Sequence, residues 1–437
     1  MKSLLKAALP EPLLARLRRY RRGAAWQQFH REWHMAIGKL PSRSPSSLPR
    51  NLLLFPADPG HVTGSLGDDG MITATIDHFR AVNPELRISM FCAAGPSEDI
   101  ARGEGFAPLV LPAFRHFPAA MTAILNAGDY DGLMIFGADV MDGYYSPEYS
   151  AMLLAAADLA ARAGMRSQIL GFSFNAAAAP ELAPCFAKLD PRVELNLRDS
   201  TSMERIGRLA PVRARLVADT AFALSPGRID AETEDWIGAE RATGRTVIGV
   251  NLHPMLIRDA SAGQIECMVG QMAGAIAAAN ATADIAWLLV PHDYRDAAGA
   301  GDGICLRPLQ ARLQAMPDSR SRYFEGVHRA TTLKALAGRL DGVVTGRMHL
   351  AIAALGMGVP VLCVTYQDKF EGLFHHFDLP QELLLSPKIF EKDGALSAAM
   401  ERFLARLPEL RATIARREDH VLGLARKNFR AFEEDAA

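Results

Sequence analysis

The sequence predicts an α/β protein of two Rossmann-like domains whose parallel sheets face a cleft. Short apolar runs of β type alternate with segments of helical period, the pattern of βαβ units with strands covered on both faces. The alternation comes in two series, each about 150 residues long, the size of an ordinary domain. The chain of 437 residues is itself too long for one small module.

Residues 1–40 read as one or two amphipathic basic helices, with Leu4, Leu5, Leu9, Leu13, Leu14 and Leu17 set against Arg16, Arg18, Arg19, Arg21 and Arg22. Such a helix either lies on an anionic membrane face, where each basic residue is worth about 1 kcal/mol, or packs on the protein with its basic side in water. Residues 41–50, PSRSPSSLPR, form a Pro/Ser linker. The first series of strand-like runs is NLLLFP (51–56), LRISMFC (86–92), GLMIFG (132–137) and SQILGF (167–172). VELNL (193–197) and ARLVAD (214–219) alternate with turns where the two series join. The second series is TVIGVNL (246–252), IAWLLVP (285–291), GVVTG (342–346) and VPVLCVTY (359–366), and the tail from about 395 is helical. The expected organisation is therefore an arm and linker over 1–50, a first domain over 51–197, a second over 198–390, and terminal helices over 391–437.

Composition narrows the function. Hydrophobic residues make up 49% and charged residues 22%, which excludes a disordered chain or a disulfide scaffold. The net charge of −1 supplies no field for nucleic acid, although residues 1–50 carry eleven Lys/Arg against only Glu11 and Glu32. Five scattered cysteines in no metal-binding spacing read as buried thiols of a reducing compartment. No apolar stretch reaches the roughly 18 residues of a membrane span, and Lys6, Pro10 and Glu11 break any signal-like run. A cytoplasmic protein is expected, with peripheral contact at the inner membrane face as the further reading of the basic arm.

The most informative stretch is DGVVTGRMHLAIAALGMGVPVLCVTYQDKFEGLF (341–374). A buried strand ends at Val344, and a small-residue helix begins near Arg347. Unpaired N–H groups at a helix start favour an anion off the strand's end, and a guanidinium can grip phosphate or carboxylate with two hydrogen bonds. His349 is the side chain whose ordinary pKa allows proton exchange near neutrality. Lys369 follows the next strand and brings a further cation.

Other candidates also follow strands. GSLGDDGMITATI (64–76) is a Gly-rich loop entering a helix; Gly67 and its neighbours can present amides to a ligand, while Asp68 and Asp69 suit a helix cap equally well. It contains neither GxGxxG nor a P-loop, which argues against nicotinamide, flavin or nucleoside triphosphate chemistry. In FGADVMDGYYSPEY (136–149), Asp139 and Asp142 can accept sugar hydroxyls and Tyr144 and Tyr145 can stack on a ring; turn formation explains the same residues. Arg198 and Asp199 suggest an ion pair, with Ser200 or Ser202 capping the next helix and Glu204 completing the cap. Asp219 ends a strand, and His253, His292 and Asp293 lie on loops after strands. No HExxH-type pair accompanies these histidines, so no metal site is expected.

GRMHLAIAALGMGVPVLCVTYQDK (346–369) resembles the C-terminal signature of the polysaccharide pyruvyl transferase family: strand, Arg-x-His, small-residue helix, Gly-x-Pro, strand, then Tyr-x-x-Lys. GSLGDDGMI resembles the family's N-terminal Gly-Asp loop. LNLRDSTS and VADTAFAL resemble its Arg-Asp-x-x-Ser and Asp-x-x-Phe elements, in the expected order. The likeness covers roughly residues 51–390. One element departs: a Gly-Gly-Gly-like turn after a middle strand is here FGADVMDG.

The resemblance implies a GT-B-like fold and transfer of an enolpyruvyl unit from phosphoenolpyruvate to two hydroxyls of a polysaccharide or its lipid-linked precursor, giving a pyruvate ketal and phosphate. It implies His349 as acid/base, Arg347 and Lys369 on the donor, and Asp68 with its neighbours facing the acceptor from the first domain. Gly67, Asp139, Arg198 and His292 complete the substrate-binding candidates. Neither metal nor redox cofactor is called for, phosphoenolpyruvate being a substrate. A small, dense polyanion fits a site of cations and a helix start. The competing readings are a GT-B glycosyltransferase using a nucleotide sugar, and a non-catalytic glycan-binding member of the same fold.

Overall fold

The computed structural model describes residues 11–44, 49–317, 319–365 and 370–432. It contains two wholly parallel sheets. The first joins β1 (Asn51–Phe55), β2 (Arg87–Cys92), β3 (Ala107–Val110), β4 (Gly132–Phe136), β5 (Arg166–Phe172), β6 (Val193–Leu197) and β7 (Ala214–Leu216) in the order β3-β2-β1-β4-β5-β6-β7. The second joins β8 (Thr246–Val250), β9 (Ile285–Leu289), β10 (Arg320–Tyr323), β11 (Gly342–Thr345), β12 (Val361–Val364) and β13 (Leu384–Leu385) in the order β10-β9-β8-β11-β12-β13.

Each strand order reverses once, between β1 and β4 and between β8 and β11. In open α/β sheets the crevice beyond such a reversal is where ligands bind. The loops leaving β1 and β4 carry Asp58 and Asp139; the loop leaving β11 carries Arg347. Both reversals open on the same cleft.

The buried runs obey the two-faced logic of parallel strands. Leu52 and Leu54 point into a core continuous with the second sheet, whereas Leu53 and Phe55 point into a separate core on the other face of the first sheet. β3, β10 and β13 escape the sequence pattern because edge strands are short and need only one buried face. The expected boundary at 197/198 falls inside the first sheet: Leu195 of β6 pairs with Ala214 of β7, so this sheet extends to Leu216.

The expected basic arm is one helix, Glu11–Ile37, and its second half follows the packed alternative, belonging to the first domain rather than to a separate arm. Trp26, Phe29 and Trp33, spaced to share one helix face, are buried in the core behind the first sheet. The Trp33 indole donates to Asp158 (2.8 Å), and the Lys188 ammonium sits 3.3 Å from its ring centroid. Residues 1–10, the start of the expected membrane segment, lie outside the described residues. Among the described residues no helix is long and apolar enough to cross a membrane.

Among the contacts that tie the halves together are two buried polar ones. The Asp69 carboxylate accepts the Ala330 N–H (2.7 Å) and pairs with Arg329, which also pairs with Glu104. Lys334 donates to the Phe222 carbonyl (2.8 Å), and burial lowers its ammonium pKa to about 8. At the far end of the chain, Asn428 returns to the first sheet, accepting from Gly171 N–H and donating to the Ala218 carbonyl.

Candidate active site

His349 is placed by the strand-turn-helix unit that the sequence pattern marks. β11 ends at Thr345, whose hydroxyl accepts the Arg347 N–H (2.9 Å), and the helix Met348–Leu355 starts without a capping side chain. The run of Ala and Leu along that helix lets it lie against the sheet. Opposite stands the helix Leu66–Val82, capped by Ser65, whose hydroxyl accepts the Asp68 N–H (3.2 Å). The cap expected from Asp68 or Asp69 thus belongs to Ser65, which leaves both carboxylates available for other contacts. Gly67 meets the His349 ring so closely that a Cβ at that position would collide with Nδ1. Only glycine permits this approach of the two domains.

Between these helices lies a cavity of about 480 Å³. Its lining includes His349, Arg347, Asp68, Gly67, Arg198, His292 and Asp139, seven of the eight residues singled out from the sequence. The eighth, Lys369, lies outside the described residues. The lining also includes Asp58, Tyr149 and Arg295, which the sequence reasoning did not select. Arg295 sits in the same post-strand loop as His292 and could have been found by asking for every cation on that loop. Asp58 carries no signal beyond its position after β1.

Each arginine of the cavity is held by a carboxylate. Arg347 donates to Asp302 Oδ1 through Nε (3.0 Å) and Nη2 (2.6 Å) and to the Ala300 carbonyl (2.8 Å). The fork expected to grip an anion is therefore engaged with Asp302, and Nη1 remains on the side of Met255. Arg295 makes a two-point pair with Asp293 (3.0 and 2.7 Å). Burial would raise the Asp293 carboxyl, but Arg295 and Arg347 outweigh it and hold it below the usual range. Arg198 donates to Ser173 Oγ (2.5 Å) and to Asp219 Oδ2 (2.9 Å). The ion pair expected between Arg198 and Asp199 is not formed. Asp199 instead caps the helix Ser200–Leu209 by accepting the Ser202 N–H (2.6 Å), displacing the expected serine cap. A carboxylate preceding the helix reaches its open N–H groups better than a hydroxyl already inside it.

Behind the imidazole, His349 Nε2 is 3.6 Å from Asp219 Oδ2. Burial pulls the Asp219 carboxyl up, but His349, Arg198 and the Ala221 N–H outweigh it and hold it well below the ordinary range. An anion fixed behind a histidine orients the ring. Asp68 behaves oppositely. Its carboxyl is pushed up to about 7, chiefly by burial, with Asp58 and Asp139 adding to the rise and Ser65 and His349 opposing it. Burial and Arg347 drive His292 well below its ordinary value, so it faces the cavity as a neutral ring. Burial likewise keeps the Tyr149 hydroxyl protonated, and it donates to the Pro56 carbonyl (2.7 Å). Among the described residues no group of three or more His, Cys, Asp or Glu is arranged to hold a metal ion.

The loop where the sequence departs from the glycine turn still has a backbone conformation that favours glycine. Ala138 has a φ of 40°, in the left-handed region that glycine adopts without cost, and its carbonyl accepts the Ser173 N–H (2.7 Å). Asp139 follows, accepting the Tyr145 hydroxyl (3.0 Å).

The sequence profile of the polysaccharide pyruvyl transferase family matches residues 66–368, well over half of the chain. The chain belongs to that family. It is a transferase of polysaccharide biosynthesis, and the matched span begins one residue before Gly67 and takes in His349. No curated protein sequence matches it significantly. Among solved structures the transferase resembles a UDP-N-acetylglucosamine 2-epimerase described as putative, from Listeria monocytogenes, with TM-score 0.56 and 12% identity over 88% of this chain and 94% of the other. It also resembles the UDP-N-acetylglucosamine 2-epimerase of Neisseria meningitidis (TM-score 0.54, 10% identity, 88% and 98% covered) and a glycosyltransferase of Rickettsia africae (TM-score 0.51, 11% identity, 88% and 98% covered). These likenesses establish the transferase's two-domain, GT-B-like fold.

Proposed function

We propose that this transferase moves an enolpyruvyl unit from phosphoenolpyruvate to two hydroxyls of one sugar in a polysaccharide or its lipid-linked precursor, closing a pyruvate ketal and releasing phosphate. The observation that carries this reading is His349 at an uncapped helix start, sharing one cavity with three guanidinium groups and a carboxyl that titrates near neutrality. The enol phosphate must take a proton on carbon before a hydroxyl can attack it. Asp68, half protonated near pH 7, supplies that proton to C3 and leaves an oxocarbenium-like C2. The first sugar hydroxyl attacks C2 and passes its proton to His349, whose imidazolium faces Asp219. The C2–O bond to phosphate then breaks. The remaining donors of Arg347 and Arg295 stabilise the leaving group, which takes the proton from His349. The second hydroxyl attacks C2 and returns a proton to Asp68. Protons balance, and both groups end as they began. A positioned acid or base of this kind contributes about 10²–10⁴-fold.

A donor screen read by released phosphate and product mass tests the reading. With phosphoenolpyruvate and an acceptor glycan, phosphate release and a mass gain of one pyruvate ketal are expected; His349→Ala lowers the rate by about 10²–10⁴-fold. Nucleotide release from a nucleotide sugar, or acceptor binding without turnover in the native protein, overturns it. The basic N-terminal segment further supports a lipid-linked acceptor at the inner membrane face, with Lys369 assisting the donor. Deleting residues 1–20, which leaves Trp26, Phe29 and Trp33 in place, is expected to reduce co-sedimentation with anionic vesicles. Unchanged co-sedimentation refutes the membrane contact.

A further inference from the structure

Beside the cavity that holds His349 opens a second, wider groove, which none of the chemistry above uses. It encloses about 1340 Å³, against about 480 Å³ for the first, and so exceeds the roughly 300–1,000 Å³ of an ordinary small-molecule site. Tyr145 and Met255 line both, so the two spaces meet at these side chains.

Its chemistry does not suit a phosphate. Arg258 and Lys388 are outnumbered by Asp259, Glu371 and Glu391. The helix Ala262–Asn280, whose start borders the groove, has that start closed by a capping box in which Ser261 and Gln264 satisfy each other's N–H groups. That terminus is not open to a diphosphate.

The groove does suit a chain of neutral sugars. Tyr144 and Tyr145 are 45% and 56% exposed, large aromatic rings set edge to face with centroids 5.1 Å apart. The Arg258 guanidinium lies 5.5 Å from the Tyr144 centroid and steadies that ring. Tyr145 donates to Asp139 across the join, linking the aromatic pair to the first cavity. A pyranose presents a flat C–H face, which packs on a ring, and a rim of hydroxyls, which donate to carboxylates able only to accept.

We propose that this groove binds the neighbouring neutral sugar units of an oligosaccharide acceptor, whose reacting unit crosses Tyr145 and Met255 into the His349 cavity. The inference rests on the pyruvyl transfer reading for the reacting unit and adds where the acceptor's neighbouring units bind and that they are neutral. It also moves much of acceptor recognition onto the second domain.

The test is binding of neutral oligosaccharides by saturation-transfer NMR and calorimetry on the full chain, without donor. The panel is the β-1,4-gluco, β-1,4-manno, β-1,3-gluco and α-1,4-gluco series, from one to about six units, with UDP in parallel. Affinity in at least one series is expected to rise with length and then level off. Tyr144→Ala should weaken the longer members by about three- to tenfold while leaving the monosaccharide unchanged, and Tyr144→Phe should restore them. No binding across the panel, affinity independent of length, indifference to Tyr144→Ala, or UDP displacing the sugars overturns the proposal. Phosphoenolpyruvate binding, titrated on the same samples, separates the two readings. Its loss in the native protein counts against the donor assignment alone, and its retention with no oligosaccharide binding counts against the groove alone.

Discussion

The two walls of the His349 cavity are built from the same kinds of element, the loops and helices that follow parallel strands, yet they differ in chemistry. The second-domain wall supplies Arg347, Arg295, His292 and His349 together with a helix start; the first-domain wall supplies Asp58, Asp68, Asp139 and the phenols of Tyr145 and Tyr149. One wall suits an anion and the other suits hydroxyls. The division is incomplete in an instructive way. Arg198 and Asp219 come from the end of the first sheet and reach behind His349, so the imidazole is positioned by a carboxylate of the opposite domain. Neither domain alone forms the His349–Asp219 pair proposed for acid/base work.

That dependence is the feature to break first. Asp219→Asn keeps the shape but removes the anion behind His349, and kcat is expected to fall by about 10²-fold with little change in the KM for phosphoenolpyruvate. An unchanged kcat would show that His349 works without its partner across the cleft.

A smaller effect sharpens the contrast between the walls. Because the Asp68 carboxyl is raised to about 7, it is mainly neutral below that pH and anionic above it. Phosphoenolpyruvate affinity should therefore be greatest below pH 7 and weaken as pH rises through it, by at most about tenfold per unit. In Asp68→Asn, calorimetric titration should show this step removed. The same shift costs stability: the folded state holds its proton through the interval from the ordinary carboxylate value to about 7 while the unfolded chain releases it. Stability carried by this group is complete below that interval and lost across it as pH rises, and Asp68→Asn should flatten that part of a denaturation series.

The smallest effect concerns the first-domain wall alone. Ala138→Gly relieves a left-handed alanine and should stabilise the fold by about 0.5–1 kcal/mol in chemical denaturation, the gain being reduced by the freer unfolded chain. Destabilisation would mean that the Ala138 methyl contributes packing that outweighs its strain.

Much of the fold was legible because buried parallel strands must be apolar on both faces. NLLLF, GLMIF, TVIGV and GVVT stand out for that reason, while β3, β10 and β13, each at or near an edge, carry only a weak apolar pattern. The candidate site was legible, as residues that share one cavity, where a motif precedes or opens a helix after a strand, as at Gly67–Asp68 and Arg347–His349. Partner choice was not. Arg198 and Asp199 are adjacent in sequence, but the extended backbone there separates them, and the buried guanidinium turns to Asp219, twenty-one residues away in sequence.

By itself the sequence determined the two βα series, the family signature and which titratable side chains follow the strands, since each depends on local pattern and side-chain chemistry. The tertiary structure alone decided how those groups are paired and charged. Arg347 is committed to Asp302, Asp219 stands behind His349, and Asp68 is raised towards neutrality. Burial and charge proximity set such properties, and both depend on distances between residues that lie far apart along the chain.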